Sequence, residues 1–139
     1  MVQGDFLPRR AGSIRVACAS DGDGMLDGHF GSCQRFMIHD VSVARIVTLE
    51  GRSCEGLGTE GRTTLIRDCQ VVCMQAIGGP AAGRVSQAGV MPLKVSRVVP
   101  ILEILERIQG RLADGPPPWM AKAMAGSDRL FNPGGGIMA

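Results

Sequence analysis

The apolar positions of this 139-residue chain change period several times, and each change marks an element. Ile14–Ser20 (IRVACAS) alternates as a strand, with Ile14, Val16 and Cys18 on one face and Arg15 and Ala17 on the other. A loop rich in Gly and Asp follows, DGDGMLDGHFGS, closing at Ser32. Two more strands are predicted at Arg35–Val41 (RFMIHDV) and Arg45–Leu49 (RIVTL), close enough to form a hairpin. Beyond the polar stretch from Glu50 to Gly58, Thr59–Asp68 reads as a short helix whose clear apolar pair is Leu65 and Ile66. Gln70–Ile77 (QVVCMQAI) is almost continuously apolar, as expected of a central strand covered on both faces.

Gly78 and Gly79 lead into a helix from Pro80 to about Ala88, since proline suits a first helical turn. Gly89 ends it, and Val90–Ser96 (VMPLKVS) forms another strand, placed at a sheet edge by Pro92. The strongest helical pattern is Pro100–Ala113, where Ile101, Ile104, Leu105, Ile108 and Leu112 make one stripe. Gly115 and three prolines stop it, and Trp119–Met124 offers a last apolar turn. The succession βββαβαβα predicts a single α/β domain with a mixed sheet and helices on its faces.

Composition narrows the class. The length suits one domain, and 45% apolar with 20% charged residues is close to globular averages, so wholesale disorder is not expected. The expected boundaries are a flexible leader at 1–12, a domain at 13–124 and a disordered tail at 125–139. A net charge of +2, evenly spread, gives no footprint for nucleic acid. No apolar run approaches the roughly 18 residues needed to span a bilayer, and MVQGDFLPRRAGS lacks the apolar core of a secretory signal. Five cysteines at irregular spacing argue against a disulfide scaffold, so a cytoplasmic protein with reduced thiols is expected. Glycine is the outlier, with twenty residues, roughly twice the usual share.

Several motifs fail on inspection. The loop from Asp21 misses a calcium site at Met25, Leu26 and Ser32, and Asp27 stands where a dinucleotide fingerprint needs glycine. Asp21, Asp23 and Asp27 could serve a two-metal nuclease, but they crowd one loop. Three features remain. His29 stands between Gly28, Phe30 and Gly31 in a loop that can project an imidazole, either as an iron or zinc ligand or as a loop-capping hydrogen bonder. Cys33, four residues on, is a candidate thiolate ligand, whereas Cys18 and Cys73 lie in apolar runs and read as core. Gly78 and Gly79 open a helix at the carboxyl end of a strand, where anions bind readily. If the strands preceding the two loops are parallel neighbours, His29 and Gly78–Gly79 face one crevice.

The segments SIRVACASDG, DGHFGSCQRFMIHDV and QVVCMQAIGGPAAGRVSQAGVMPLKV, with the long helix ending in GPPPW, resemble the nitrogenase iron–molybdenum cofactor biosynthesis family. The likeness covers about residues 13–124 and is strongest to the family's small stand-alone carriers. It implies a ribonuclease-H-like fold without nuclease or other enzymatic activity. It also implies a bound iron–sulfur cluster precursor of the cofactor, passed between the cofactor synthase and the scaffold protein. The family's cofactor-binding histidine falls by motif on His29, whereas Cys33 and His39 match no family position. Few protein ligands suit a cargo that must be released, while four thiolates would favour permanent ligation. Arg15, Arg35, Arg62 and Arg84 are candidate contacts to an anionic cluster. The expected partners are those assembly proteins, with no nucleic acid and no membrane, and the chain is expected to be a monomer or weak dimer. The alternatives are a cluster-free docking or regulatory module of nitrogenase assembly, and a metal-dependent nuclease.

Overall fold

A computed structural model describes residues 8, 9 and 12–126; the remainder of the expected leader and the tail from 127 lie outside the described residues. In chain order the elements are β1 (Ile14–Ser20), β2 (Met25–Leu26), β3 (Arg35–Val41), β4 (Ile46–Ser53), α1 (Thr59–Leu65), β5 (Val71–Met74), α2 (Gly79–Gln87), β6 (Met91–Lys94), β7 (Val99–Pro100), α3 (Ile101–Asp114) and α4 (Pro118–Gly126). Five strands form one mixed sheet in the order β4-β3-β1-β5-β6. β3 runs antiparallel to both β1 and β4, while β1, β5 and β6 are mutually parallel. The described residues thus form a small α/β domain with four helices. No helix among the described residues is long and apolar enough to cross a membrane.

Alternation along β1 divides the core as expected. Ile14, Val16 and Cys18 pack in one layer with the α3 stripe of Ile101, Ile104, Leu105, Ile108 and Leu112. Ala17 and Ala19 enter the other layer with Ile66, Val85, Phe30, Phe36 and Cys33. Each buried stripe residue contributes about 1.5–3 kcal/mol, so α3 is anchored mainly by its pattern, with no side-chain N-cap and a left-handed Gly115 ending it. Pro92 lies on β6, an edge strand, where a missing N–H costs no central ladder bond.

The departures from the sequence reading have physical causes. β4 continues past Leu49 through a polar stretch to Ser53, because β3 supplies backbone partners out to the pair Arg35–Ser53. A register shift at Ile38 and His39 accommodates the extra residue. β2 and β7, which periodicity does not predict, exist only through pairing with each other, Met25 with Pro100 and Leu26 with Val99. Within the expected leader, Arg9 donates to the Ala123 carbonyl (3.2 Å) and the Pro8 carbonyl accepts from Arg15 (3.0 Å).

Arg15 is not a cargo contact. It is buried on β1, donating through Nε and Nη2 to the two carboxylate oxygens of Asp40 (2.7 and 3.0 Å) and through Nη1 to Asp68 (3.0 Å). Asp68 also accepts a fork of hydrogen bonds from Arg52 (2.7 and 3.0 Å). Burial alone would raise the Asp68 carboxyl, but the hydrogen bonds from Arg52 and Arg15 outweigh it and hold it below its ordinary value.

His39 on β3 is 5% exposed, with Nδ1 3.1 Å from Thr48 Oγ1 and Nε2 without a hydrogen-bond partner among the described residues. Burial lowers its pKa from 6.5 to about 4, against a smaller opposing pull from Asp40. Between those values the unfolded chain binds a proton that the native protein excludes, so this stabilisation is complete above about pH 6.5 and fades as the pH falls towards 4. The expected loss is roughly 3 kcal/mol. Denaturant titrations from pH 7 to 4 check it, and His39→Phe should flatten most of that slope.

Candidate functional site

The loop after β1 is held to the rest of the sheet by its own backbone. Gly28 N–H donates to the Ala19 carbonyl (3.2 Å), Gln75 N–H to the Gly28 carbonyl (2.9 Å) and Phe30 N–H to the Ala76 carbonyl (2.9 Å). His29 therefore forms a parallel bridge with Ala76, extending the β1–β5 pairing past the ends of both strands. Its carbonyl accepts from Ser32 (3.2 Å) and Cys33 (2.9 Å), which turns the chain back towards β3. Phe30 is fully buried against Phe36, ring centroids 5.5 Å apart, and anchors the residue after the histidine. The His29 imidazole is exposed and makes no hydrogen bond among the described residues, so it does not cap the loop.

Gly28 has a strict packing reason. A Cβ there would lie 2.6 Å from the Cys33 Cβ and 3.0 Å from the Ala19 carbonyl carbon. Gly31, Gly78 and Gly79 differ, because a Cβ at any of them meets nothing within 4 Å. These three glycines leave open space above the backbone instead of relieving a clash.

The condition set by the sequence is met: β1 and β5 are parallel neighbours. Ala76, the bridge partner of His29, lies two residues before Gly78, the N-cap of α2. That helix start has no side-chain cap and no acidic residue in its first turn, and Gly78, Gly79 and Pro80 are exposed. Its leading N–H groups therefore lie near the histidine on the same sheet edge.

Cys33 is placed differently from the expectation at the loop mouth. It is 1% exposed and packs in the core layer with Phe30, Phe36 and Cys54. A hydrogen bond shared with Cys54, and then burial, push its thiol up, so a thiolate ligand there would have to leave this packing. Among the described residues no group of three or more His, Cys, Asp and Glu could hold a metal ion. The aspartates serve the loop: Asp27 accepts from the Asp21 and Gly22 N–H groups (2.7 and 3.3 Å), and Asp21 from the Gln34 N–H (2.8 Å).

The sequence offers Arg62 only as one of four unranked candidate cargo contacts. It is buried on α1, and its Nη1 donates to the Phe30 and Cys33 carbonyls, both at 3.0 Å. Its Nε donates to the Leu57 carbonyl (2.9 Å). It supports the loop from beneath, with Nε and Nη1 committed to backbone carbonyls. The only signal for this in the sequence is a charge on a short helix with few apolar positions to bury. Of the four arginines, half-buried Arg35 and exposed Arg84 remain.

Residues 12–111 match the family described as "Dinitrogenase iron-molybdenum cofactor". The chain is 44% identical over 117 residues to Protein NifY of Azotobacter vinelandii, covering 81% of this chain but only 48% of NifY, so it spans about half of that relative. It is 32% identical over 138 residues to Protein NifX of Sinorhizobium fredii, covering 90% of this chain and 86% of NifX. The crystal structure of PH0822 shares the fold with a TM-score of 0.61 at 19% identity, covering 70% of this chain and 91% of that one. By the family match and these two relatives, the chain belongs to the dinitrogenase iron–molybdenum cofactor family and is NifX-like within it.

Proposed function

We propose that this protein carries an iron–sulfur precursor of the nitrogenase iron–molybdenum cofactor, taking it from the cofactor synthase and passing it to the scaffold protein, without catalysing a reaction. The observation that carries this reading is the exposed imidazole of His29 on a backbone pinned at both sides, beside the uncapped N-terminus of α2. The imidazole supplies one coordinate bond. The N–H groups at Gly78 and Gly79 favour the negative charge of the cargo, and the open space over Gly31, Gly78 and Gly79 admits its bulk. Phe30 and Gly28 hold the ligand's position from below. The family description supports the role in cofactor biosynthesis, and the strand order, three antiparallel strands continued by two parallel ones, supports a ribonuclease-H-like assignment. The absence of a membrane-spanning helix among the described residues is compatible with a cytoplasmic carrier.

Anaerobic incubation with the cluster made by a cofactor synthase tests the reading. Wild-type protein should emerge from gel filtration brown, with iron and sulfide bound. His29→Ala should weaken loading by at least about tenfold, the scale on which loss of metal-site groups is felt. Equal loading of the variant would remove His29 as the ligand. A cluster-free docking module is the second reading, favoured by the lack of any enclosing set of metal ligands among the described residues. A wild-type protein that stays colourless would select it.

A further inference from the structure

We propose that Cys33 and Cys54 form a reversible dithiol–disulfide site, oxidised by a hydroperoxide, that straps the His29 loop to the end of β4. The two sulfurs lie 4.0 Å apart although the residues are 21 positions apart in the chain. Their backbones are already held together: Cys54 N–H donates to the Gln34 carbonyl (2.9 Å), one step beyond the Arg35–Ser53 pair of β3 and β4. A disulfide needs a separation of about 2.05 Å, so side-chain rotation of about 1 Å at each sulfur closes the bond. Both cysteines line a cavity of about 660 Å³ with Ser32, Gln34 and Gly51. The pair itself is only 0–1% exposed, so hydrogen peroxide reaches the sulfurs when the loop bordering this cavity opens slightly.

Arg62 Nη1 lies 3.4 Å from the Cys33 sulfur and favours negative charge at the pair. The hydrogen bond shared with Cys33 holds the Cys54 thiol below its ordinary value, and the attack is assigned to Cys54, an assignment that Cys33→Ser tests. The Cys54 thiolate attacks one peroxide oxygen, the O–O bond breaks, and sulfur loses two electrons to become a sulfenic acid. The hydroxide released takes up the Cys54 proton and leaves as water. Cys33 sulfur then attacks Cys54 sulfur, the S–O bond breaks, and the departing hydroxide leaves as a second water with the Cys33 proton. Two thiols and one peroxide thus give one disulfide and two waters, and a dithiol reductant reverses the bond by exchange. Cys18 and Cys73 are register partners on β1 and β5, but they lie in the other core layer, away from the cavity that Cys33 and Cys54 line. They stay reduced.

The strap matters because Cys33 N–H donates to the His29 carbonyl and Gly28 packs on the Cys33 Cβ. Full-length protein, free of cargo, is treated with one equivalent of hydrogen peroxide, digested at Asp and Arg without reduction, and sequenced by mass spectrometry. The expected product is one Cys33–Cys54 cross-link, lighter by about 2 Da and reopened by dithiothreitol. In Cys33→Ser the sulfenic acid should persist on Cys54 and be captured by dimedone. Amide exchange at Ser32 and Cys33 should slow by about tenfold in the oxidised protein. No cross-link, a cross-link between other cysteines, or no dimedone adduct on Cys54 overturns the site. Unchanged exchange in the cross-linked protein overturns the strap. No cluster enters any of these measurements, so they stand or fall independently of the carrier reading.

Discussion

Arg15→Ala should lower the unfolding free energy by about 3–5 kcal/mol, the cost of leaving a buried carboxylate without its cation. Asp40 loses both oxygen contacts at once, and its side chain is only 7% exposed, so water cannot replace the guanidinium without opening β1 and β3. Asp68 loses one of two arginines but keeps Arg52, which limits the damage on that side. Arg15→Met combined with Asp40→Leu removes both charges together and should recover at least about half of the loss, because apolar groups of similar volume can replace a buried pair. Guanidinium denaturation of the single and double variants checks this. A single variant within about 1 kcal/mol of wild type would show that the pair contributes no more than a surface bridge.

Gly28→Ala is expected to be the most damaging small change near the candidate site. The added methyl meets the Cys33 Cβ at 2.6 Å and β1 backbone at 3.0 and 3.1 Å, none of them the end of a flexible side chain. Overpacking of this kind costs about 1–3 kcal/mol or more. The relief has to come from the loop itself, so the His29 backbone moves off its bridge with Ala76 and precursor loading falls with stability. Gly31→Ala is the matched control: its methyl meets nothing, and its stability should stay within about 0.5 kcal/mol of wild type. Thermal unfolding of both variants decides the matter, and equal destabilisation of the two would contradict the packing argument.

Elements whose signal is local were legible in the residues. β1, β3 and α3 were readable because strand alternation and a helical stripe are written in consecutive side chains. The His29 loop was readable as a loop from its glycines, but the residues alone left its imidazole open between a ligand and a loop cap. β2, β7 and the far half of β4 were not readable, because two-residue or polar strands exist only where another strand offers its backbone. Cys33 illustrates the same divide. Its place four residues after His29 put it near the loop, but the turn between them sends the imidazole outward and the thiol inward.

The sequence by itself determined the α/β alternation, the two-faced burial of β1 and β5, and the single histidine on a glycine-flanked loop. It also carried the family, through motifs that are contiguous in the chain. Only the tertiary structure decided what Arg15 and Arg62 do. Arg15 meets Asp40 and Asp68 across 25 and 53 positions, and Arg62 meets the Phe30 carbonyl across 32. A guanidinium carries no mark of whether it will face water, a carboxylate or a carbonyl. Its environment is set by groups distant in sequence that the sheet brings within 3 Å.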